Sequence, residues 1–226
     1  MQVERVLQDA KEQKIENVSS VMINFMARGE PVLNPSVRSH LPELAERLRT
    51  SLQNHIDVGK LKLWRLNVST MMPKQLRRSL VPHPYVHRFF SLYSSQPAFR
   101  GRWMPSAMPI EDALDRIAQL QQPVTLHHAW IAGENDRLAD VRHLASRIKA
   151  RGLTGRFSTV RYNPPDASSQ ETEWSRLLDC HAIMADAMKP VAGLPSKIVT
   201  RAPVEIFSAC GQFVPQLRTN SNESKM

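Results

Sequence analysis

The sequence predicts an α/β protein with a parallel sheet and helices outside it, the sheet being either open or curved into part of a barrel. Short apolar runs typical of strands alternate with longer segments in which apolar residues recur with helical spacing. The chain has 226 residues, 42% of them hydrophobic, which is enough for a core of its own. Regular alternation of strand and helix is typical of parallel sheets, because the strands are joined by helical crossovers.

Along the first half of the chain, a helix comes first and three strands follow. Residues 2–14 are predicted to be helical, because Val3, Val6, Leu7 and Ala10 recur every three or four positions among charges. The strands are predicted at "SSVMINFM" (19–26), "KLWRLNVST" (62–70) and "YVHRFFSLYSS" (85–95). The helices that follow them are predicted at 40–56, 73–81 and 110–120.

The second half supplies strands at "PVTLHHAWIAG" (123–133), "RFSTVRYN" (156–163) and "SKIVTRAPVEI" (196–206), with helices at 137–150 and 170–187. The helix at 137–150 has Asn135 or Asp136 as its predicted N-cap and Gly152 as its terminator. Its apolar stripe consists of Leu138, Val141, Leu144, Ala145 and Ile148. Residues 1–217 are therefore expected to form one domain, and the polar residues 218–226 a disordered tail.

Polar and small residues follow the predicted strands at their carboxyl ends, where parallel α/β folds place their functional sites. They are Gly29–Glu30–Pro31, Ser69–Thr70, Ser91–Leu92–Tyr93, Gly133–Glu134–Asn135–Asp136 and Asn163–Pro164–Pro165. Together such groups suit hydrogen bonding to a polar small molecule, although each loop by itself is more typical of a turn, a helix cap or the end of a strand.

Charge and cysteine content limit the partners and the compartment. A formal net charge of +9 favours nucleic acid as the partner, while a soluble protein without such a partner or an anionic-membrane binder stays open. Two cysteines and a charged N-terminus predict a reducing, cytoplasmic location. No apolar run approaches the ~20 residues that would cross a membrane.

Cys210 lies in "EIFSACGQFVP", between small residues and after an apolar run. From these residues alone it is a nucleophile, a metal ligand or a core residue. Cys180 lies within a predicted amphipathic helix and is expected in the core. His127 and His128 are adjacent on a strand and so point to opposite faces, which argues against a histidine metal site there.

Taken in order, six segments resemble the radical S-adenosylmethionine (SAM) RNA methyltransferases that methylate C2 of an adenosine in ribosomal and transfer RNA. The segments are "SSVMINFMARGEPVLNP", "LNVSTMMP", "FFSLYSSQP", "HHAWIAGENDRLADVRHLASRIK", "FSTVRYNPP" and "SACGQF". The resemblance extends from about residue 19 to residue 214. It implies a partial (β/α) barrel that binds SAM beside a [4Fe-4S] cluster, and RNA as the substrate.

The same resemblance implies roles for individual residues. Gly29 and Glu30 would bind the amine of SAM, Ser69 would contact its carboxylate or ribose, and Asn163 would hold its adenosine end. The stretch Ser91, Leu92 and Tyr93 would line the site between them. Cys210 would be the cysteine that becomes methylated and then delivers a methylene unit to the base.

This chain departs from the family at the cluster. The C-x3-C-x2-C loop and the accessory domain of the family are absent from the sequence, and the chain opens on a helix rather than on a strand. The expectation is therefore a partial barrel without its first strand, inactive alone, that is a fragment or a split subunit needing a cluster-bearing partner. The alternative is a catalytically inactive basic remnant that binds RNA, SAM or both. Either way, the strand at 19–26 is expected to be an exposed, association-prone edge.

Overall fold

Six parallel strands form a single sheet in the computed structural model, which describes residues 2–13, 18–26, 29–55, 63–164 and 168–200. The strands are β1 (Ser20–Phe25), β2 (Leu63–Thr70), β3 (Val86–Ser91), β4 (Val124–Ala129), β5 (Gly155–Val160) and β6 (Lys197–Ile198). They lie side by side in chain order, and each neighbouring pair is parallel. The sheet curves into a half-barrel, which confirms the predicted partial (β/α) barrel.

Helices join each pair of successive strands except β2 and β3, and one further helix precedes β1. They are α1 (Gln2–Glu12), α2 (Pro35–His55), α3 (Pro97–Trp103), α4 (Ile110–Ala118), α5 (Leu138–Ala150) and α6 (Trp174–Asp186), with a 3-10 turn at Pro31–Leu33. Among the described residues, no helix is long and apolar enough to span a membrane.

The two faces of the sheet differ in polarity, because successive side chains of a strand point to opposite sides. On the helix side, Leu66 and Val68 of β2 join the main hydrophobic core. The concave side carries Asn67, whose amide donates to Asn24 Oδ1 of β1 at 2.7 Å. Polar side chains thus line the inside of the half-barrel from one strand to the next.

One predicted element between β2 and α4 is wrong, and one observed helix was not predicted. Residues 73–81 form turns and irregular structure rather than a helix, and α3 was missed. Leu76 is buried in the main core, and its carbonyl accepts a hydrogen bond from Arg116 Nη1 at 2.8 Å. Contacts with distant parts of the chain therefore bury Leu76 and satisfy its carbonyl without a helix. The helix was predicted because Leu76 and Leu80 are four residues apart, as in an apolar helical stripe.

The start of α5 also differs from the prediction. The N-cap is Arg137 without a side-chain hydrogen bond, so neither Asn135 nor Asp136 caps the helix. Asn135 instead binds backbone groups elsewhere, and Asp136 Oδ1 accepts from Gly133 N at 2.9 Å. The end of the helix is as predicted, with Gly152 at φ +61° just beyond it. Of its predicted stripe, Val141, Leu144, Ala145 and Ile148 are buried.

Within the described residues, β1 is an edge of the sheet, since its only strand partner is β2. Its side chains alternate between exposed and half-buried, and Met22 is 47% exposed. The predicted exposed edge is confirmed, and in keeping with it no residue of β1 is fully buried. The end of the predicted strand at 196–206 and the predicted tail lie outside the described residues.

Candidate functional site

The loops at the carboxyl ends of the strands are joined by a second, smaller hydrophobic cluster, which we call the rim cluster. It contains Phe99, Met104, Ala107 and Ile131, with Met71, Tyr93, Trp103 and Tyr162 packed against them. These residues come from the loops after β2, β3, β4 and β5 and from α3 and the loop that follows it. The loops that carry the predicted site residues are therefore fixed relative to one another.

Glu30 connects the loop after β1 to the end of β2. Its Oε2 accepts a hydrogen bond from Met71 N at 3.0 Å, and its Oε1 accepts one from Val32 N at 3.4 Å. Because each carboxylate oxygen can accept two hydrogen bonds, both oxygens keep acceptor capacity for an ammonium group. Gly29 beside it has φ +80° and open space where a Cβ would lie. This left-handed conformation suits glycine.

Ser69 and Ser91 occupy the concave ends of β2 and β3. Ser91 Oγ is hydrogen-bonded to His127 Nε2 of β4 at 2.6 Å. Burial lowers the pKa of His127 to about 4, so its imidazole is neutral at physiological pH. The pair is a neutral hydrogen-bonding group on the inner wall, directly below the rim.

Leu92 and Tyr93 are separated by the structure, although they are adjacent in sequence. The Leu92 side chain is fully buried in the main core, and its carbonyl accepts from Arg100 Nη1 at 2.7 Å. Tyr93 has φ +58° and stacks its ring on His128, with ring centroids 5.8 Å apart. Only Tyr93 therefore presents a side chain at the rim.

His128 and Asn135 hold Tyr93 in place, a role that no local sequence pattern predicts for either residue. Tyr93 N donates to His128 Nε2 at 3.2 Å, and Asn135 Nδ2 donates to the Tyr93 carbonyl at 3.1 Å. Asn135 also bonds Ile131 N and the Ala129 carbonyl. Burial, together with His127 and Arg100, lowers the pKa of His128 to about 3, which keeps its Nε2 free to accept.

Asn163 follows β5 and has a buried Oδ1 without a hydrogen-bond partner among the described residues. A buried acceptor left unpaired costs about 1–3 kcal/mol, so a ligand that donates to it would recover that free energy. An adenine amino group or a ribose hydroxyl has the required donor.

Two arginine–tryptophan pairs lie at the rim. Arg161, the residue after β5, places its guanidinium 5.0 Å from the ring centre of Trp174, which is 50% exposed. Arg102 lies 5.4 Å from the ring centre of Trp103, whose Nε1 donates to Glu134 Oε2 at 3.2 Å. Trp103 is partly buried in the rim cluster, whereas the exposed ring of Trp174 beside an arginine is a group on which single-stranded nucleic acids stack.

The residues at the rim fit SAM, but they do not fit a [4Fe-4S] cluster. For SAM, Glu30 offers an acceptor to the amine, and the unpaired oxygen of Asn163 offers one to the adenosine end. For a cluster, the described residues contain no group of three or more metal-ligating side chains. Cys180 is buried in α6, and burial and the nearby Asp136 raise the pKa of its thiol to about 12. Cys210 lies outside the described residues.

Comparisons of sequence identify relatives over most of the chain, although no family model matches it. The chain is 24% identical to the "Probable dual-specificity RNA methyltransferase RlmN" of Thermotoga petrophila, over 93% of this chain and 58% of that protein. It is 26% identical to the "Dual-specificity RNA methyltransferase RlmN" of Sorangium cellulosum, over 84% of this chain and 47% of that protein. The chain thus spans about half the length of these curated relatives.

Comparisons of structure agree with those of sequence. A radical SAM methyltransferase from Sphaerobacter thermophilus superimposes with a TM-score of 0.65 over 93% of this chain and 60% of its own, at 23% identity. A domain of the pyruvate-formate lyase-activating enzyme from Bacteroides vulgatus gives a TM-score of 0.54 over 81% of this chain, at 16% identity. Over most of its length, therefore, the chain is similar in sequence to proteins named as RlmN RNA methyltransferases, and its half-barrel fold matches that of a radical SAM methyltransferase.

Proposed function

We propose that the chain is the SAM-binding core of a radical SAM RNA methyltransferase that acts on C2 of adenosine. In this proposal the [4Fe-4S] cluster is supplied by a segment or partner outside these 226 residues, because the chain contains only two cysteines. The homology to RlmN-type enzymes supports the reaction class.

The position of Glu30 carries the proposal. Its carboxylate is held at the rim by two backbone N–H groups, with acceptor capacity left over. A charge-assisted hydrogen bond to a carboxylate is the strongest single contact that the amine of SAM can make. Ser69 and Ser91 lie across the same opening, where hydroxyl groups suit the carboxylate or ribose, and Asn163 stands at its far side.

Cys210 is the proposed acceptor of the methyl group. Its thiolate would attack the methyl carbon of SAM, so that a carbon–sulfur bond forms, the sulfonium–methyl bond breaks and S-adenosylhomocysteine leaves. The methylated cysteine would then be the carrier from which the base receives its carbon. RNA would approach over the rim, where Trp174 and Arg161 offer a stacking surface.

Calorimetric titration of the purified chain with SAM tests the proposal. Glu30→Gln should weaken binding about tenfold to a hundredfold, because one charge-assisted hydrogen bond is worth about 1.5–3 kcal/mol. The exposed Glu43→Gln is the matched control and should bind as the unmodified chain does. Melting curves of both variants separate lost binding from lost folding. Equal SAM affinity in both variants would contradict the role of Glu30.

The alternative is a catalytically inactive basic remnant that binds RNA, SAM or both. The net charge of +9 supports RNA binding by such a remnant. Mass spectrometry of Cys210, after expression together with a cluster-bearing partner, distinguishes the two. A methyl group on Cys210 supports the enzyme. An unmodified Cys210, with RNA affinity that falls steeply with salt and is unchanged in Cys210→Ala, supports the remnant.

A further inference from the structure

Three cationic side chains share the concave face near the amino ends of the strands, away from the rim. They are Arg65 in β2, Arg156 in β5 and Lys197 in β6, and we call them the lower cationic cluster. Arg65 lies two residues before Asn67, which faces the inside of the half-barrel. Arg156 lies two residues before Ser158, which is in register with Lys197. Because alternate residues of a strand share a face, all three point inward.

Hydrogen bonds and strand register bring these side chains to one place. Arg156 Nε donates to Thr125 Oγ1 at 3.1 Å, and the same oxygen is 2.7 Å from His87 Nε2. His87 is in register with Asn67, so Arg65 is its diagonal neighbour on the inner face. The pKa of Lys197 is lowered by burial and further by Arg156 and Arg65, which indicates that the three charges act on one another.

No described carboxylate pairs with any of the three cations. Arg65 Nε is buried and has no hydrogen-bond partner among the described residues. His87 cannot balance the cations, because an imidazole carries no negative charge. Burial and the nearby arginines lower its pKa to about 4, so it adds no positive charge either. Like charges and an unpaired buried donor both raise the free energy of the folded chain, and a bound anion would relieve both.

We propose that the lower cationic cluster binds a terminal phosphate group, either free phosphate or the phosphomonoester of a small molecule. Two guanidinium groups match the oxygens of phosphate, and the Lys197 ammonium adds a third charge suited to a dianion. This site lies at the opposite ends of the strands from the proposed SAM site. The proposal therefore does not depend on the proposed function.

Thermal melting in phosphate and in chloride at matched ionic strength tests the site with inorganic phosphate as the probe. Phosphate should raise the melting temperature of the unmodified chain, because a ligand that binds only the folded state stabilises it. Arg156→Gln and Arg65→Gln should each lose most of this increment, and calorimetry should show phosphate affinity reduced about tenfold or more. Arg78→Gln, which removes an exposed charge from the loop after β2, should keep the full increment.

The rise in melting temperature from chloride to phosphate is measured within each variant, so a variant of lower basal stability still reports on binding. Testing two separate arginines guards against one of the variants failing to fold. An equal increment in all three variants, or none in the unmodified chain, would overturn the proposal. Competition identifies the source of the phosphate. A ribonucleoside 5′-monophosphate that displaces phosphate better than an oligoribonucleotide with a 5′-hydroxyl end supports a small phosphomonoester, and displacement by neither supports free phosphate. Displacement by the oligoribonucleotide at least as good as by the monophosphate assigns the site to the RNA backbone and overturns the proposal.

Discussion

Gly155, the first residue of β5, is the position at which the structure most sharply forbids a side chain. Its φ is +130°, and a Cβ built there would lie 2.0 Å from the Val124 carbonyl oxygen and 2.7 Å from Val124 N. Both obstructing atoms belong to the backbone of β4, so no side-chain rotation can relieve the contact. Gly155→Ala therefore has to push β4 and β5 apart at their amino ends.

The cost has two parts. A non-glycine residue held in a sparsely populated backbone region costs about 1–3 kcal/mol. Moving the amino end of β5 away from β4 also weakens the hydrogen bond between the strands, from Val124 N to Thr154 O (3.0 Å), and displaces Gly155 N from its acceptor Lys189 O (2.9 Å). Each such bond contributes about 0.5–1.5 kcal/mol net. The expected loss in free energy of unfolding is about 2–6 kcal/mol, a large share of a typical domain's 5–15 kcal/mol.

Urea unfolding followed by circular dichroism measures this loss, and two other glycines serve as controls. Gly193 has φ +74° with open space around its Cβ position, so Gly193→Ala reports backbone strain without a clash. Gly101 lies in α3 with open space and an ordinary φ, so Gly101→Ala should stabilise by about 0.5–1 kcal/mol. If Gly155→Ala cost no more than Gly193→Ala, the steric argument would be wrong.

Two further predictions concern buried titratable groups. The pKa values of His87 and His127 are lowered from 6.5 to about 4, and that of His128 to about 3, mainly by burial, so below pH 6.5 the unfolded chain binds protons that the folded chain does not. The contribution of these neutral histidines to the free energy of unfolding should therefore be fully present above pH 6.5. It should fall as the pH drops toward 4, by up to about 1.4 kcal/mol per pH unit for each histidine. A urea midpoint that stays constant through this window would contradict it. Burial raises the pKa of the Cys180 thiol to about 12, so Cys180 should resist alkylation at mildly alkaline pH in the folded chain and react in urea. Peptide mapping measures the labelling in both states, and equal labelling would exclude a buried thiol.

The elements that were predicted correctly are those in which the apolar residues spaced for a helix or strand are also the residues buried in the fold. The stripe of α5 is an example, since Val141 and Ile148 recur with helical spacing and are buried on the same side. Residues 73–81 were mispredicted because Leu76 is buried by contacts with distant parts of the chain. Asn135 resembles a helix cap in sequence, yet its amide is used by three backbone groups that local spacing does not reveal.

The candidate site was predictable only in part, for a similar reason. Polar residues after each strand indicated the rim, and the structure places Glu30 and Ser91 there. The buried side chain of Leu92 does not follow from the motif, because strand alternation decides which residue faces the core. The lower cationic cluster could not be predicted either, since three separate strands contribute one residue each and only their register brings the charges together.

The order of the strands in the sheet has a consequence for how the chain acquires its fold. In the part of the chain that the structure describes, every strand pairs only with the strands before and after it in sequence, so none of these strands has to insert between two earlier ones. Pairing strands that are consecutive in sequence costs less loop-closure entropy than pairing strands that lie further apart along the chain. The sheet can therefore grow one strand at a time during synthesis.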